Sequence, residues 1–306
     1  MGTFVNERKF AGEMFEKYEV IRNAEMREYT TLKLGGPAEW LAFPRSREEI
    51  IGLFAEAGRA GMPVTVIGHG SNLLVLDGGI RGLVISVSKN MRSIRREGNS
   101  LIAQAGAMLG SVAAEAAEAG LAGLEFASGI PGTVGGAMTM NAGAYGGEMA
   151  QVVSRVNGIT PEGEPVSLSN ADMQFGYRTS AVGQLNFVVT EAVFSLTPGE
   201  PEEIRARMAE LNAKRAEKQP LDQASAGSTF KRPEGYYAAA LIDQCGLKGY
   251  AVGGAQVSLK HAGFLINNGG TSKDFVELME KVQEIVGERA GVKLEPEIRI
   301  LGEEAK

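Results

Sequence analysis

The sequence predicts an α+β protein in two parts, and three observations carry that prediction. Segments with the two-residue alternation of strands and segments with the helical apolar spacing follow one another without the regular rhythm of a barrel. Proline and glycine gather in "LTPGEPEE", residues 196–203, which marks a boundary between a larger N-terminal part and a smaller C-terminal one. The 41 glycines are concentrated in "VIGHGSNLLVLDGGIRG" and "SGIPGTVGGAMTMNAGAYGGEM" rather than spread as a linker. Glycine is needed where φ is positive or where backbone must approach a ligand closely, so two dense clusters predict a ligand held by main chain.

In chain order, residues 5–22 read as a helix with Phe10, Met14, Phe15 and Tyr18 on one stripe. "LKLGGPAEWLAFP" is a turn and a short strand ending at Pro44. "SREEIIGLFAEAGRAG" is a helix with Ser46 as N-cap, acidic residues in its first turn and a terminal glycine. "PVTVIG" is a strand, and "LLVLDGGIRGLVISV" is two strands joined by a glycine turn. "SLIAQAG" is a strand and "LGSVAAEAAEAGL" an alanine-rich helix. "AQVVSRVNGIT", "PVSLS" and "NFVVTEAVFSL" are strands. "PEEIRARMAELNAKRAEKQP" is a charged helix with a solvated face. A helix from Ser272 to Gly287 buries Phe275, Leu278, Met279, Val282, Ile285 and Val286. "GVKLEPEIRIL" reads as a strand with Leu294, Ile298 and Ile300 on one side and Glu295, Glu297 and Arg299 on the solvent side.

Composition narrows the function. With 44% hydrophobic and 22% charged residues, the 306-residue chain is a globular protein able to bury a sizeable core. The net charge of −6 argues against a nucleic-acid partner. No apolar run is long enough to span a membrane, and the charged N-terminus lacks a signal-peptide core, so the cytoplasm is expected. The single Cys245 excludes an internal disulfide and leaves no metal cluster to propose. It reads as a packed core residue, and His261 as structural.

"GHGS" follows a strand, but a Rossmann fingerprint needs G-x-G-x-x-G leading into a helix, and here Leu73 and a strand follow. Main-chain N–H groups with Ser71 and Asn72 could cradle a pyrophosphate, or the loop could be a tight turn. In the second cluster Pro131 fits the first position of a short helix, with Gly132, Gly135 and Gly136 at its N-terminus as an anion site. Together the clusters predict a dinucleotide on a fold other than Rossmann. "AGSTFKRP", residues 226–233, places Ser228 beside Gly227 without the nucleophile-elbow pattern and with no nearby base.

"TLKLGGPAEWLAFP", "GHGSNLLV", "SGIPGTVGGAMTMNAGAYGGE", "FGYRTS", "AGSTFKRP" and "LEPEIRILG" occur in this order. The set resembles the UDP-N-acetylenolpyruvoylglucosamine reductase family from about Thr30 to Gly302, in its shorter form, which lacks a tyrosine-bearing loop. The resemblance implies an N-terminal helical segment (1–34) and an FAD-binding domain of the vanillyl-alcohol oxidase/p-cresol methylhydroxylase type, in two α+β subdomains (35–199). A C-terminal α+β substrate-binding domain (200–306) completes it. It also implies that NADPH reduces a non-covalent FAD, which then reduces UDP-N-acetylglucosamine enolpyruvate to UDP-N-acetylmuramate for peptidoglycan, in a monomer. His69 stands where covalent flavoenzymes of this fold attach the cofactor, and non-covalent FAD is the expectation. By the same resemblance Gly68, Gly70, Ser71 and Asn72 approach the pyrophosphate. Ser128, Gly129, Pro131, Gly132, Gly135, Gly136, Asn141, Gly143 and Gly146 line the rest of the cofactor.

Hydride arriving at the terminal methylene of the enol ether drives negative charge into the adjacent carbon and its carboxylate. That demands cationic donors at the carboxylate and one acid at the carbon. Arg178 in "FGYRTS" suits a two-pronged grip on a carboxylate, and a surface ion pair is its bland alternative. The resemblance selects Glu297, which the residues alone do not separate from Glu295, as the second stabilising group. Burial beside negative charge would raise its pKa in the useful direction. Ser228 is the implied proton donor: the carbanionic partner is itself a strong base, so a well-placed hydroxyl suffices. Tyr177, Lys218 and Arg232 are substrate-contact candidates, Arg232 replacing the family's usual asparagine. Another flavin oxidoreductase or oxidase of this fold, or a non-enzymatic flavin or nucleotide-sugar binder, stays open at this point. Bleaching of the flavin by NADPH excludes the oxidase, and turnover with the enolpyruvyl nucleotide excludes the binder.

Overall fold

The computed structural model describes residues 14–305. The expected helix over 5–22 lies partly outside these residues, and its described part is not helical. The chain turns at Phe15, whose φ is 71°, and β1 (Val20–Glu25) begins at the β-branched Val20 and Ile21. The described part of the stripe packs as a turn instead: Phe15 meets Trp40 edge-on, with ring centroids 5.5 Å apart.

β1 pairs antiparallel with β2 (Pro37–Ala42). After α1 (Arg47–Arg59), β3 (Val64–Ile67), β4 (Leu73–Val75) and β5 (Ile80–Ser86) follow. The first sheet has the order β1-β2-β5-β3, with β5 parallel to both neighbours. α1 forms as expected: Ser46 accepts a hydrogen bond from the Glu49 amide, and Ile50, Leu53 and Ala57 are buried at helical spacing. β4 and β5 are both strands but do not form a pair, because β4 leaves the sheet to join the end of the chain.

The second unit contains β6 (Ile94–Glu97), β7 (Ser100–Gln104), α2 (Leu109–Glu118), β8 (Leu121–Ala122) and α3 (Val134–Met140). It continues with β9 (Gly143–Ala144), β10 (Gly147–Glu148), β11 (Val153–Ile159) and β12 (Pro165–Ser169). α4 (Ala181–Leu185), β13 (Val188–Ser195) and β14 (Thr197–Pro198) close it. Its antiparallel sheet has the order β12-β11-β13-β7-β6. One apolar core joins α1, β5, this sheet, α2 and α3. Pro131 is not in the first turn of α3: Thr133 is the extended residue before the helix. The backbone ahead of the helix is tied to another segment, Leu109 N donating to Gly132 O (2.9 Å) and Val134 N to Ala107 O (2.9 Å). Helical geometry therefore starts only at Val134.

α5 (Pro201–Lys218) exposes most of its charges and buries Ile204 and Leu211, packing against α2 and the 125–127 turn. Beyond it come β15 (Ala224–Ser228), α6 (Ala238–Gln244), β16 (Ala251–Val252), β17 (Ala255–Val257), β18 (Phe264–Asn267), α7 (Ser272–Ala290) and β19 (Arg299–Leu301). The third sheet has the order β15-β18-β17-β16. α7 starts with a capping box between Thr271 and Asp274 and ends at Gly291 in left-handed conformation. Its stripe is buried except for Ile285, which is half-buried. Leu32, Leu34 and Leu74 share a second apolar core with α6, α7 and the third sheet. Cys245 is buried in it, and His261 accepts from Gly263 N (3.2 Å) and stacks edge-on with Phe264.

"GVKLEPEIRIL" departs from a regular strand. Only Arg299–Leu301 is one, parallel to β4, and Ile300 is exposed. Upstream, Pro296 bridges to Phe230, with Lys231 N donating to Glu295 O (2.8 Å) and Glu297 N to Thr229 O (2.8 Å). The chain bends between these two pairings, so the alternation does not set the faces. Glu295 keeps 65% of its side chain exposed, Glu297 only 11%.

Candidate active site

Three chain segments converge on Glu297. The first is a tight turn in which Gly176 and Thr179 exchange backbone hydrogen bonds (3.1 and 3.3 Å) and carry Tyr177 and Arg178 at the tip. Arg178 has φ 56°, a left-handed conformation that costs a non-glycine residue about 1–2 kcal/mol. Its Nε donates to Glu297 Oε1 at 2.5 Å, and its guanidinium lies 5.2 Å from the Tyr177 ring centroid. The second is the 228–232 stretch, whose Thr229 carbonyl holds the Glu297 amide. Gly227 ahead of it has φ 79° with open space on its side-chain face, and the β15–β18 register shifts between Ser225 and Ser228. Ser228 is half-buried and, among the described residues, its hydroxyl makes no hydrogen bond. The third is the loop after β3: Asn72 Nδ2 donates to the Glu297 carbonyl (3.2 Å), and Asn72 O accepts from Arg299 N (3.0 Å).

The electrostatics are unequal. Burial raises the Glu297 pKa above the usual carboxylate range, and the opposing pull of Arg178, Lys231 and the Tyr177 hydroxyl does not cancel it. Lys231 faces the exposed Glu295 at 3.5 Å. Tyr177 accepts from Arg232 N (3.0 Å), and Arg232 stacks 4.4 Å above Tyr237, so Tyr177 and Arg232 sit together at the exposed rim. Lys218 is exposed at the end of α5.

The two glycine clusters face each other. A Cβ on Gly68 would lie 2.3 Å from Thr133 Oγ1, and one on Gly132 would lie 3.8 Å from Ser71 Oγ. Gly70 O accepts from Thr31 N, and Gly135 N donates to Ala105 O. Gly136 lies near the Thr133 hydroxyl, which is buried without a hydrogen-bond partner. Such an orphan facing glycine-lined backbone fits a polar ligand held between the loops. Ser128 donates to Glu125 O (2.9 Å), Gly129 touches Asn212 and Arg215, and Pro131 is exposed. Gly143 lies in the small ribbon and Gly146 is exposed just before it closes. Asn141 is used differently from a free ligand: it is 1% exposed, donates to Gly176 O (3.1 Å) and accepts from Ala150 N (3.0 Å).

His69 lines a cavity of about 380 Å³ with Tyr29, Phe43, Ser86, Lys89 and Arg92. Burial, then Arg92, lowers its pKa.

Sequence reading missed Arg215. It is half-buried on α5 against Gly129, and among the described residues it has no carboxylate within ion-pair reach. Burial lowers its pKa. Its placement one turn before Lys218 was the available signal. No His/Cys/Asp/Glu cluster able to hold a metal occurs among the described residues.

The paired glycine loops beside the Arg178–Glu297 pair fit a cofactor-binding enzyme, and residues 38–169 match the family model of the FAD binding domain. Residues 219–301 match that of the UDP-N-acetylenolpyruvoylglucosamine reductase, C-terminal domain. The chain is 48% identical to the UDP-N-acetylenolpyruvoylglucosamine reductase of Levilactobacillus brevis, over 95% of each chain. It is 49% identical to that of Caldanaerobacter subterraneus subsp. tengcongensis, over 95% of this chain and 96% of that one. The crystal structure of UDP-N-acetylenolpyruvylglucosamine reductase from Thermus caldophilus superposes with a TM-score of 0.80 at 38% identity, covering 93% of this chain and 99% of that one. The chain belongs to the UDP-N-acetylenolpyruvoylglucosamine reductase family.

Proposed function

We propose that this chain reduces UDP-N-acetylglucosamine enolpyruvate to UDP-N-acetylmuramate, the peptidoglycan precursor, and that Arg178, Glu297 and Ser228 are its acting groups. The observation that carries the residue assignment is the Arg178–Glu297 pair held against the backbone of the Ser228 segment. The orphaned Thr133 hydroxyl and the glycine-lined gap fit FAD, with the 68–72 loop and the 128–136 segment as its holders. FAD bound there would supply the vinyl group with a hydride drawn from NADPH.

The chain's own part is electrostatic and proton-donating. Arg178 presents a planar fork to the substrate carboxylate, where charge grows in the transition state. Its turn, hydrogen-bonded at both ends and held by Asn141, fixes the direction of that fork. Glu297 sits on the same guanidinium, and its raised pKa suits a carboxyl that donates a hydrogen bond to the enolate. Ser228, with its hydroxyl uncommitted, delivers the proton to the carbanionic carbon. Tyr177 and Arg232 at the rim, with Lys218, meet the nucleotide end of the substrate. Arg215 adds a half-buried cation beside Gly129, where anionic or carbonyl oxygen of a bound molecule would satisfy it.

Among the described residues no helix is long and apolar enough to cross a membrane. The proposed reaction, which draws on NADPH and a nucleotide sugar, suits the cytoplasm.

Ser228→Ala tests the assignment in two half-reactions. NADPH should still bleach the flavin at the wild-type rate. Recovery of the absorbance with the enolpyruvyl nucleotide should slow by about a hundred- to ten-thousand-fold. Wild-type recovery in the variant would overturn the role of Ser228, and a flavin that NADPH never bleaches would overturn the function itself.

A further inference from the structure

We propose that docking of the substrate carboxylate on Arg178 draws a proton from solvent onto the Glu297 carboxylate, so that the enolpyruvyl nucleotide enters the site together with a proton. The inference rests on the functional reading above.

The geometry forces the competition. Arg178 is the cation bonded to Glu297, and the two side chains are 24% and 11% exposed. The backbone of each partner is held in place. The Arg178 turn is closed by the Gly176–Thr179 bonds and tied down by Asn141. Glu297 is pinned through its backbone on both sides, its amide to Thr229 O and its carbonyl to Asn72 Nδ2. A second carboxylate arriving at this guanidinium puts two anions on one partly buried cation. Like charges at that range do not both stay ionised, and the weaker acid takes the proton.

The neighbours identify which acid that is. The 176–179 turn contributes Arg178 and the Tyr177 hydroxyl. The 228–232 segment contributes Lys231, which is drawn toward Glu295 on the exposed flank. Glu297's own segment contributes Glu295 and the exposed Arg299, Arg232 lies over the Tyr237 ring, and the 68–72 loop contributes the neutral Asn72 amide, its titratable His69 lining the separate cavity with Lys89 and Arg92. Burial already raises the Glu297 pKa while Arg178 is bonded to it, and sharing Arg178 raises it further. The substrate carboxylate is conjugated to an enol ether and is the stronger acid. The bookkeeping is simple: solvent or buffer gives one proton, one O–H bond forms on Glu297, and nothing is oxidised or reduced. The product of this step is useful, because a protonated Glu297 donates to the growing enolate charge where an ionised one would repel it.

The sign of the linkage follows. Binding takes up protons, so the nucleotide binds more tightly as pH falls. The change is about tenfold in Kd per pH unit where Glu297 is ionised in the free enzyme.

The experiment uses the oxidised holoenzyme without NADPH, so that nothing turns over. Titration calorimetry in two buffers of different ionisation enthalpy counts the protons taken up. UDP-N-acetylglucosamine enolpyruvate should bring up to about one proton per molecule bound. UDP-N-acetylglucosamine, which lacks the carboxylate, should bring none to the same wild-type protein. Glu297→Gln should abolish the uptake, and Glu295→Gln should leave it unchanged. Wild-type protein that binds the enolpyruvyl nucleotide with no proton uptake overturns the proposal, as does uptake that survives Glu297→Gln or appears with the carboxylate-free nucleotide. Failure of the functional reading looks different: the enolpyruvyl nucleotide then neither binds nor restores the absorbance of NADPH-bleached flavin.

Discussion

Asn141 separates a cofactor ligand from a structural tie. The sequence reading places it among the cofactor-lining residues, whereas its buried amide donates one hydrogen bond and accepts one inside the protein, and its φ is 42°. Asn141→Ala removes two buried hydrogen bonds, each worth about 1 kcal/mol net. It also puts alanine in a left-handed conformation, which adds about 1 kcal/mol. The expected loss of stability is therefore about 3 kcal/mol. Asn141→Gly loses the same two bonds without the left-handed penalty and should fall short of that loss by about 1 kcal/mol. Urea unfolding with no added FAD and with saturating FAD is the assay. A structural tie costs the same in both, because it belongs to the protein alone. A cofactor contact shows only when FAD is present, since ligand that binds the native state alone adds stability by mass action. If Asn141→Ala leaves the FAD-free unfolding energy within about 0.5 kcal/mol of wild type, a change no larger than that of an ordinary surface substitution, the structural reasoning is refuted.

The remaining expectations concern the loops and the titrating groups. Gly68→Ala drives a methyl group to 2.3 Å from Thr133 Oγ1, so the Thr133 hydroxyl must turn away or the loops must part. FAD retention, read as flavin absorbance per protein, should drop by about 1–3 kcal/mol of binding, and full retention would show that the gap does not hold the cofactor. Glu297 has a raised pKa, so its contribution to stability is present below the ordinary carboxylate range and is lost as pH rises through the folded value. The melting temperature of wild type relative to Glu297→Gln should accordingly fall from acid to neutral pH, and a rise would reverse the assignment. His69 has a lowered pKa, so its contribution is present above the ordinary imidazole value and is lost as pH falls through the folded one. His69→Asn should flatten the acid limb of stability. Denatured wild-type protein should carry the mass of the chain alone, and added flavin mass would exclude non-covalent attachment.

Local order was written in local residues. Ser46 and its following acidic residues define the start of α1, and Thr271 with Asp274 defines the start of α7, because capping is settled within a few residues. In its described part, from Met14 on, the expected 5–22 helix failed for a complementary reason: strand pairing with β2 outweighs the helical spacing from Val20 onward. The motifs of the resemblance were also contiguous, so the family and its cofactor class could be read before any fold was seen.

The sequence by itself determined the elements with strong caps, the two backbone-rich loops and the residue types available for an anionic transition state. Only the tertiary structure decided that Glu297 is buried and Glu295 exposed, that Arg178 spends its charge on Glu297, and that Arg215 has no carboxylate partner among the described residues. The physical reason is range. Arg178 and Glu297 are 119 residues apart, and burial and pairing depend on which distant segments close over a side chain. Alternation along one strand carries no record of that, least of all where Pro296 bends the chain from one sheet toward another.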